Sequence, residues 1–267
     1  MTGLALLAFA GNSLLCRQAL GPLRMDPADF TAIRLLSGAA LLLALCGRRA
    51  WPAGHWPGAI ALLAYAALFS WAYVRLDAGT GALLLFGAVQ VTMIGAGIAR
   101  GERLGSAQWA GIALAFGGLA WLLAPGLQAP RLGGALPMAG AGVAWGAYSL
   151  LGARGGDPVA ATAGHFLRAA PLGLLLAVLA REGAAPPGAG VLCAVASGAL
   201  ASGLGYAVWY TVLPSLRASA AATVQLAVPV AAAVGGVLWL GELPGARLLL
   251  AGALVLGGIA LVLRRHH

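Results

Sequence analysis

The side chains able to do chemistry in this chain are few, and each is stranded in an apolar run. Asn12 and Ser13 interrupt the first run, Arg34 lies in the second, Gln90 in the fourth, His165 and Arg168 in the seventh, and Gln225 in the ninth. A polar group in hydrocarbon is costly unless it faces a partner or a wet cavity, so these residues mark candidate contacts for a polar solute. Gln90 and Gln225 offer amide hydrogen bonds, to a solute or to a neighbouring helix, where such a bond contributes roughly 0.6–2 kcal/mol. Arg168 offers a cation for a carboxylate. His165, one helical turn away, has a ring that ordinarily titrates near neutral pH. Arg34 stands only about five residues into its run, roughly 7–8 Å at 1.5 Å per residue, which is within snorkelling reach of the surface. It is therefore expected to be structural.

Aromatic residues add stripes at helical spacing. Trp145 and Tyr148 are three apart; Ser202, Tyr206, Trp209 and Tyr210 share one helix face; Tyr65, Phe69 and Tyr73 share another. Such stripes pack helices or anchor interfaces. Trp209 and Tyr210 near a helix end suit the interface, whereas Trp145, Tyr148 and Tyr206 lie further in, and a cavity they lined would suit an amphipathic or aromatic solute. Pro229, inside the ninth run, is expected to remove a backbone hydrogen bond and kink that helix near a gate. The candidate binding set is thus Asn12, Gln90, Trp145, Tyr148, His165, Arg168, Tyr206 and Gln225, with Pro229 as the kink.

What is missing narrows the chemistry. None of the seven acids falls within the core of an apolar run. The four histidines and three cysteines (Cys16, Cys46, Cys193) show no metal-ligand spacing, so neither an enzyme nor a cofactor is expected. The net charge of +9 comes from scattered arginines between apolar runs, a pattern of loop anchoring rather than of nucleic-acid binding.

The elements that must carry these residues follow from composition. The 267 residues are 61% hydrophobic and 9% charged, whereas a soluble domain carries roughly a quarter charged residues. A spanning helix needs about 20 mostly apolar residues. Ten helices fit, at about 3–21, 29–47, 56–75, 79–100, 105–124, 133–152, 158–180, 188–211, 217–240 and 245–264. Asp26–Pro27 and Asp157–Pro158 supply caps with proline at the first helical position, and Pro57 opens the third helix. The expected class is all-α and integral to the membrane.

The chain also repeats itself. Residues 101–123, GERLGSAQWAGIALAFGGLAWLL, and 241–263, GELPGARLLLAGALVLGGIALVL, share nine identities in 23 ungapped columns. An earlier echo sets Arg34 against Arg168. Two five-helix repeats result, about 1–125 and 130–267. An odd number of spans inverts the second copy, and inverted repeats around a midplane site are a common architecture of secondary transporters. Glu102 and Glu242 mark the same turn in each copy, where capping of the following helix explains them. Eight arginines at one set of loops and ends against five at the other favour both termini in the cytoplasm.

Two five-helix repeats, each closing with a "GE" turn and a "GG-(L/I)-A" helix, resemble the drug/metabolite transporter superfamily, and its EamA-type ten-helix branch in particular. The runs AWGAYSLLGAR (144–154) and GLGYAVWYTVLPSLRAS (203–219) are similar to the first and third helices of that family's second repeat. The resemblance implies export or exchange of a small organic metabolite, amino acids and aromatic ones first, by alternating access through a central cavity. It also implies a multi-pass protein of the bacterial inner membrane, as monomer or homodimer, whose partners are the lipid bilayer and a small-molecule substrate. The first helix has Gly11 where the second repeat has Trp145, so binding roles do not copy from one half to the other. It also lacks the membrane glutamate of small multidrug exporters. A non-transporting membrane scaffold or chaperone, or a carrier of another metabolite class, remains the alternative at this stage.

Overall fold

The computed structural model describes residues 2–101, 103–126, 129–152, 157–180, 185–212 and 225–263. These residues are helical with short connections, and none of them is in a strand. The helices are α1 (Thr2–Leu20), α2 (Pro27–Cys46), a short α3 (Ala50–Ala53), α4 (Trp56–Tyr73), α5 (Ala78–Ala99), α6 (Ser106–Leu123), α7 (Leu132–Gly152) and α8 (Pro158–Ala180). Then follow α9 (Gly188–Val195), a π-helical stretch (Ala196–Leu204), α10 (Gly205–Val212), α11 (Ala227–Leu240) and α12 (Ala246–Leu263).

Among the described residues seven stretches are long and apolar enough to cross a membrane: α1, α2 continued through α3, α4, α5, α6, α8 and the run Gly188–Trp209; Ala227–Leu240 and Ala246–Val262 are shorter apolar helices. Large apolar side chains such as Leu179 (75% exposed) and Leu238 (81%) stand on the perimeter. Such a surface suits lipid, not water.

Local chemistry sets the helix starts. Asp26 Oδ1 accepts the backbone N–H groups of Ala28 (2.8 Å) and Asp29 (3.4 Å), and Pro27 occupies the position whose missing N–H needs no acceptor. Asp157 caps α8 in the same way through Val159 and Ala160. At α4 the cap is His55, whose Nδ1 accepts from Gly58 N at 3.0 Å.

One feature differs from the sequence expectation. The stretch 188–211 is not one α-helix but α–π–α, with the wide turn in the small-residue segment ASGALASGL. Pro229 is the third residue of α11; Leu226 just before it is a turn residue with helical backbone angles, and Gln225 before that is again helical. Prolines lie inside α7 (Pro137) and α8 (Pro171). The expected start of the ninth helix at 217, and Glu102 of the first "GE" turn, lie outside the described residues.

Packing runs between the two halves of the chain. α2 lies along α8, α6 along α12, α4 and α5 against α7, α1 against the π-helical stretch and α11, and α5 against α11. Glycines make these contacts close. A Cβ on Gly258 would stand 2.5 Å from Gly111 O, and one on Gly118 would stand 2.8 Å from Leu254 Cβ, so Gly111, Gly118 and Gly258 form the α6–α12 seam. The G-x-x-x-G of α7 does the same: Gly142 abuts Ala88 and Gly146 abuts Thr92 of α5.

Candidate functional site

The site starts from the π-helical stretch. Ser197 and Ser202 are five residues apart, about 140° around an α-helix of 3.6 residues per turn, so an α-helix would hold them on different faces. A π-turn closes at i→i+5 and carries both over one face. The backbone there presses onto α2, because a Cβ on Gly198 would fall 2.1 Å from both Arg34 O and Ser37 Oγ. Both serines are fully buried as a result. Ser197 Oγ donates to Asn12 Oδ1 (2.6 Å), and Ser202 Oγ accepts from Arg34 Nε (3.3 Å) and Nη2 (3.2 Å).

Tyr65 of α4 ties this polar group together. Its hydroxyl accepts from Asn12 Nδ2 (3.2 Å) and Arg34 Nη2 (3.1 Å). The Arg34 guanidinium also lies over the rings of Tyr65 (5.0 Å) and Phe69 (5.2 Å), an arrangement favoured by the ring quadrupole. Arg34 is 1% exposed, so it does not snorkel; it turns inward. Among the described residues its Nη1 has no hydrogen-bond partner.

The ring of Tyr65 passes the connection on to Trp145, with centroids 4.9 Å apart. Trp145 is half-buried and meets two further rings, stacked on Tyr148 at 5.4 Å and tilted against Tyr206 at 5.0 Å. Its neighbours thus come from α4, α7 and α10. Tyr148 OH then meets His165 Nδ1 at 3.2 Å, and the His165 ring packs on His55 at 4.4 Å. Gly58 leaves room for that imidazole, since a Cβ there would stand 2.5 Å from His165 Nε2. A continuous column results: Arg34, Tyr65, Trp145, Tyr148, His165, His55. It offers a cation and hydroxyls at one end, aromatic faces in the middle and imidazoles at the other. Among the described residues no three His, Cys, Asp or Glu side chains gather as metal ligands.

Of the candidate residues named from sequence, the structure brings Asn12, Trp145, Tyr148, His165 and Tyr206 into this column. Three lie elsewhere. Gln90 is buried beside an apolar cavity of about 220 Å³ between α5, α6 and α12. Gln225 is half-buried just ahead of α11 and makes no hydrogen bond among the described residues. Arg168 donates to Gly164 O (3.0 Å) and Trp51 O (2.9 Å) and covers the Trp51 ring, fastening α3 to α8. Pro229 borders an apolar crevice of about 290 Å³ between α5, α11 and α12. Arg34, Tyr65, Ser197 and Ser202 are the members the sequence did not single out as a group. The Arg34–Arg168 column pairing was the available signal, and it pointed to a shared structural role instead.

A second charged group closes one end. Arg17 Nε donates to Glu242 Oε1 (2.9 Å), Nη2 to Asp77 Oδ1 (3.3 Å) and Nη1 to Tyr73 O (3.2 Å), while Glu242 Oε2 accepts from Ala78 N (2.8 Å). Glu242 therefore caps α5, not the helix that follows it in sequence. Beside it lies a polar cavity of about 390 Å³ that Arg75, Arg131 and Arg247 also line.

The model of the EamA-like transporter family matches residues 2–124 and again 132–264. The chain belongs to the EamA-like transporter family. It is a membrane transporter and not an enzyme. An uncharacterized protein of Pseudomonas aeruginosa is 59% identical over 98% of this chain and 93% of its own length. A protein of Streptantibioticus cattleyicolor named a probable terminal-alkyne amino-acid exporter is 35% identical, over 78% of this chain and 71% of its own. One solved crystal structure shares the fold of this EamA-like chain, with a TM-score of 0.68 at 24% identity over 98% of the chain and 97% of that structure.

Proposed function

We propose that this EamA-like protein is a secondary carrier that exports or exchanges amino acids, aromatic ones first, across the bacterial inner membrane. The observation that carries the reading is the convergence of Tyr65, Tyr148 and Tyr206 on Trp145, from helices of both halves of the chain. Aromatic faces at a helix junction give an amphipathic solute both apolar contact and hydroxyls. The name of the Streptantibioticus relative supports the same substrate class.

Ten spanning helices in two inverted five-helix units, 1–125 and 130–267, complete the reading. Two matches of one family model support it, as does the pairing of helices, because α2–α8 and α6–α12 join counterparts and α4–α7 mirrors α1 against the π-helical stretch. Alternating access then rocks one unit on the other across glycine seams. With both termini cytoplasmic, the Arg17–Glu242 pair lies at the outer face and His165 nearer the inner one. The protein acts as a monomer or homodimer. Saturable uptake of labelled amino acids into proteoliposomes, absent from empty liposomes, tests the reading; flux no greater than in empty liposomes rejects it.

A further inference from the structure

Arg34 is a fixed positive charge buried in a membrane helix, and among the described residues it makes no ion pair with a carboxylate. Among the described residues the two ion pairs are both made by Arg17. Charges inside a membrane protein are retained where they pair with something or meet a solute. Here the partners are hydroxyls and ring faces, which hold the guanidinium without neutralising it.

The group is also short of acceptors. A guanidinium has five N–H donors, an amide two, and each hydroxyl one. The hydrogen-bond acceptors that Arg34 and the Asn12 amide reach are the Tyr65 and Ser202 oxygens, each shared between two donors, while Asn12 Oδ1 accepts from Ser197. Among the described residues Arg34 Nη1, itself buried, is left with its N–H groups unpartnered. A surplus of donors around a buried cation is complementary to one kind of ligand group, an anion with several lone pairs. A carboxylate matches the planar fork in particular, one oxygen on Nη1 and the other on Nη2, with the Tyr65 or Ser202 hydroxyl turning to donate.

We propose that Arg34, with Asn12, Tyr65 and Ser202, is the carboxylate-binding subsite of this carrier, and that the solute's remaining part lies along Trp145 and Tyr206. This rests on the carrier reading above and assigns its substrates as carboxylate-bearing. Tyr65 serves both regions, since its hydroxyl touches Arg34 and its ring touches Trp145. The aromatic faces of Trp145 and Tyr206 are suited to a solute ammonium or an apolar side chain alike.

The test is ligand-induced thermal stabilisation of the purified protein in detergent, using matched pairs: phenylalanine against phenylalaninamide, and phenylacetate against phenylacetamide. The wild type, Arg34→Lys, Arg34→Gln and Ser202→Ala are compared, each confirmed monodisperse. The carboxylate of each pair is expected to bind the wild type at least tenfold more tightly than its amide. Arg34→Gln is expected to abolish that preference, Arg34→Lys to keep part of it and Ser202→Ala to weaken it severalfold. Amides binding as well as acids, no member binding at millimolar concentration, or an Arg34→Gln protein with unchanged preference would each overturn the subsite. The wild-type comparison decides even where Arg34→Gln does not fold. Binding of phenylacetate without any amino acid would uphold the subsite and reject amino acids as the substrates.

Discussion

Arg17 of α1 and Glu242 of the α11–α12 turn are joined by an ion pair with Nε and Oε1 2.9 Å apart. They are 225 positions apart in sequence, and the same glutamate also accepts the N–H that opens α5. Three helices are thereby closed at one end by one carboxylate. The echoed "GE" turn looks like local punctuation, yet its second copy works as a long-range tie.

Loss of that tie should be felt as stability. The Arg17 and Glu242 side chains are 20% and 14% exposed, so Glu242→Ala strands a cation and a helix N-terminus in poorly hydrated surroundings, at about 2–3 kcal/mol. Asp77 is 59% exposed, and Asp77→Ala should cost less than about 1 kcal/mol. Detergent melting curves check the order: Glu242→Ala well below wild type, Asp77→Ala close to it. Equal midpoints for the two variants would contradict the assignment.

Gly198 should tolerate no side chain. Its Cβ would sit 2.1 Å from backbone at Arg34, so Gly198→Ala must push α2 away from the π-helical stretch. Overpacking of this kind costs about 1–3 kcal/mol. Gly11, where nothing lies within 4 Å of a Cβ, is the control. Size-exclusion profiles should show reduced folded yield for Gly198→Ala and unchanged yield for Gly11→Ala; the reverse would refute the close approach.

Trp145→Ala should lower transport at least tenfold while leaving at least half the wild-type protein in the membrane. The indole is half-buried and touches three tyrosines, so its loss removes a binding surface more than a core. Trp145→Phe should recover part of the activity. If abundance and transport fall together, the ring is a packing element.

Gly118 and Gly258 test the seam between α6 and α12. Gly258→Val should be the more damaging, because its side chain meets backbone at Gly111 O (2.5 Å) and Ala115 N (2.6 Å), whereas the contacts of a Gly118 Cβ are longer, with Leu254 Cβ at 2.8 Å, Val255 Cγ2 at 2.9 Å and Ala251 O at 3.1 Å. Melting midpoints for the two variants give the comparison. A lower midpoint for Gly118→Val would count against the seam geometry.

Local features of this fold were legible in the sequence because they depend on neighbours along the chain. Asp26–Pro27 and Asp157–Pro158 open helices for reasons contained within four residues. The stripe spacing of Trp145 and Tyr148 likewise needs only helical periodicity. Arg34 was misjudged because distance from a helix end decides whether snorkelling is possible, not whether it happens; the deciding groups, Ser202 and Tyr65, lie 168 and 31 positions away. The π-turn was invisible for a related reason. Small residues permit it, but contact with α2 selects it. Amides such as Gln90 gave no direction at all, since a polar residue on an apolar helix can face any neighbour.

Transport through the aromatic column requires that a solute cross the bilayer by way of Trp145. Purified protein in liposomes preloaded with unlabelled phenylalanine should accumulate labelled phenylalanine by counterflow, with a rate that saturates as its concentration rises. Accumulation that saturates and disappears with Trp145→Ala is the predicted result. Labelled solute entering no faster than into empty liposomes, or entering linearly without saturation, would contradict it.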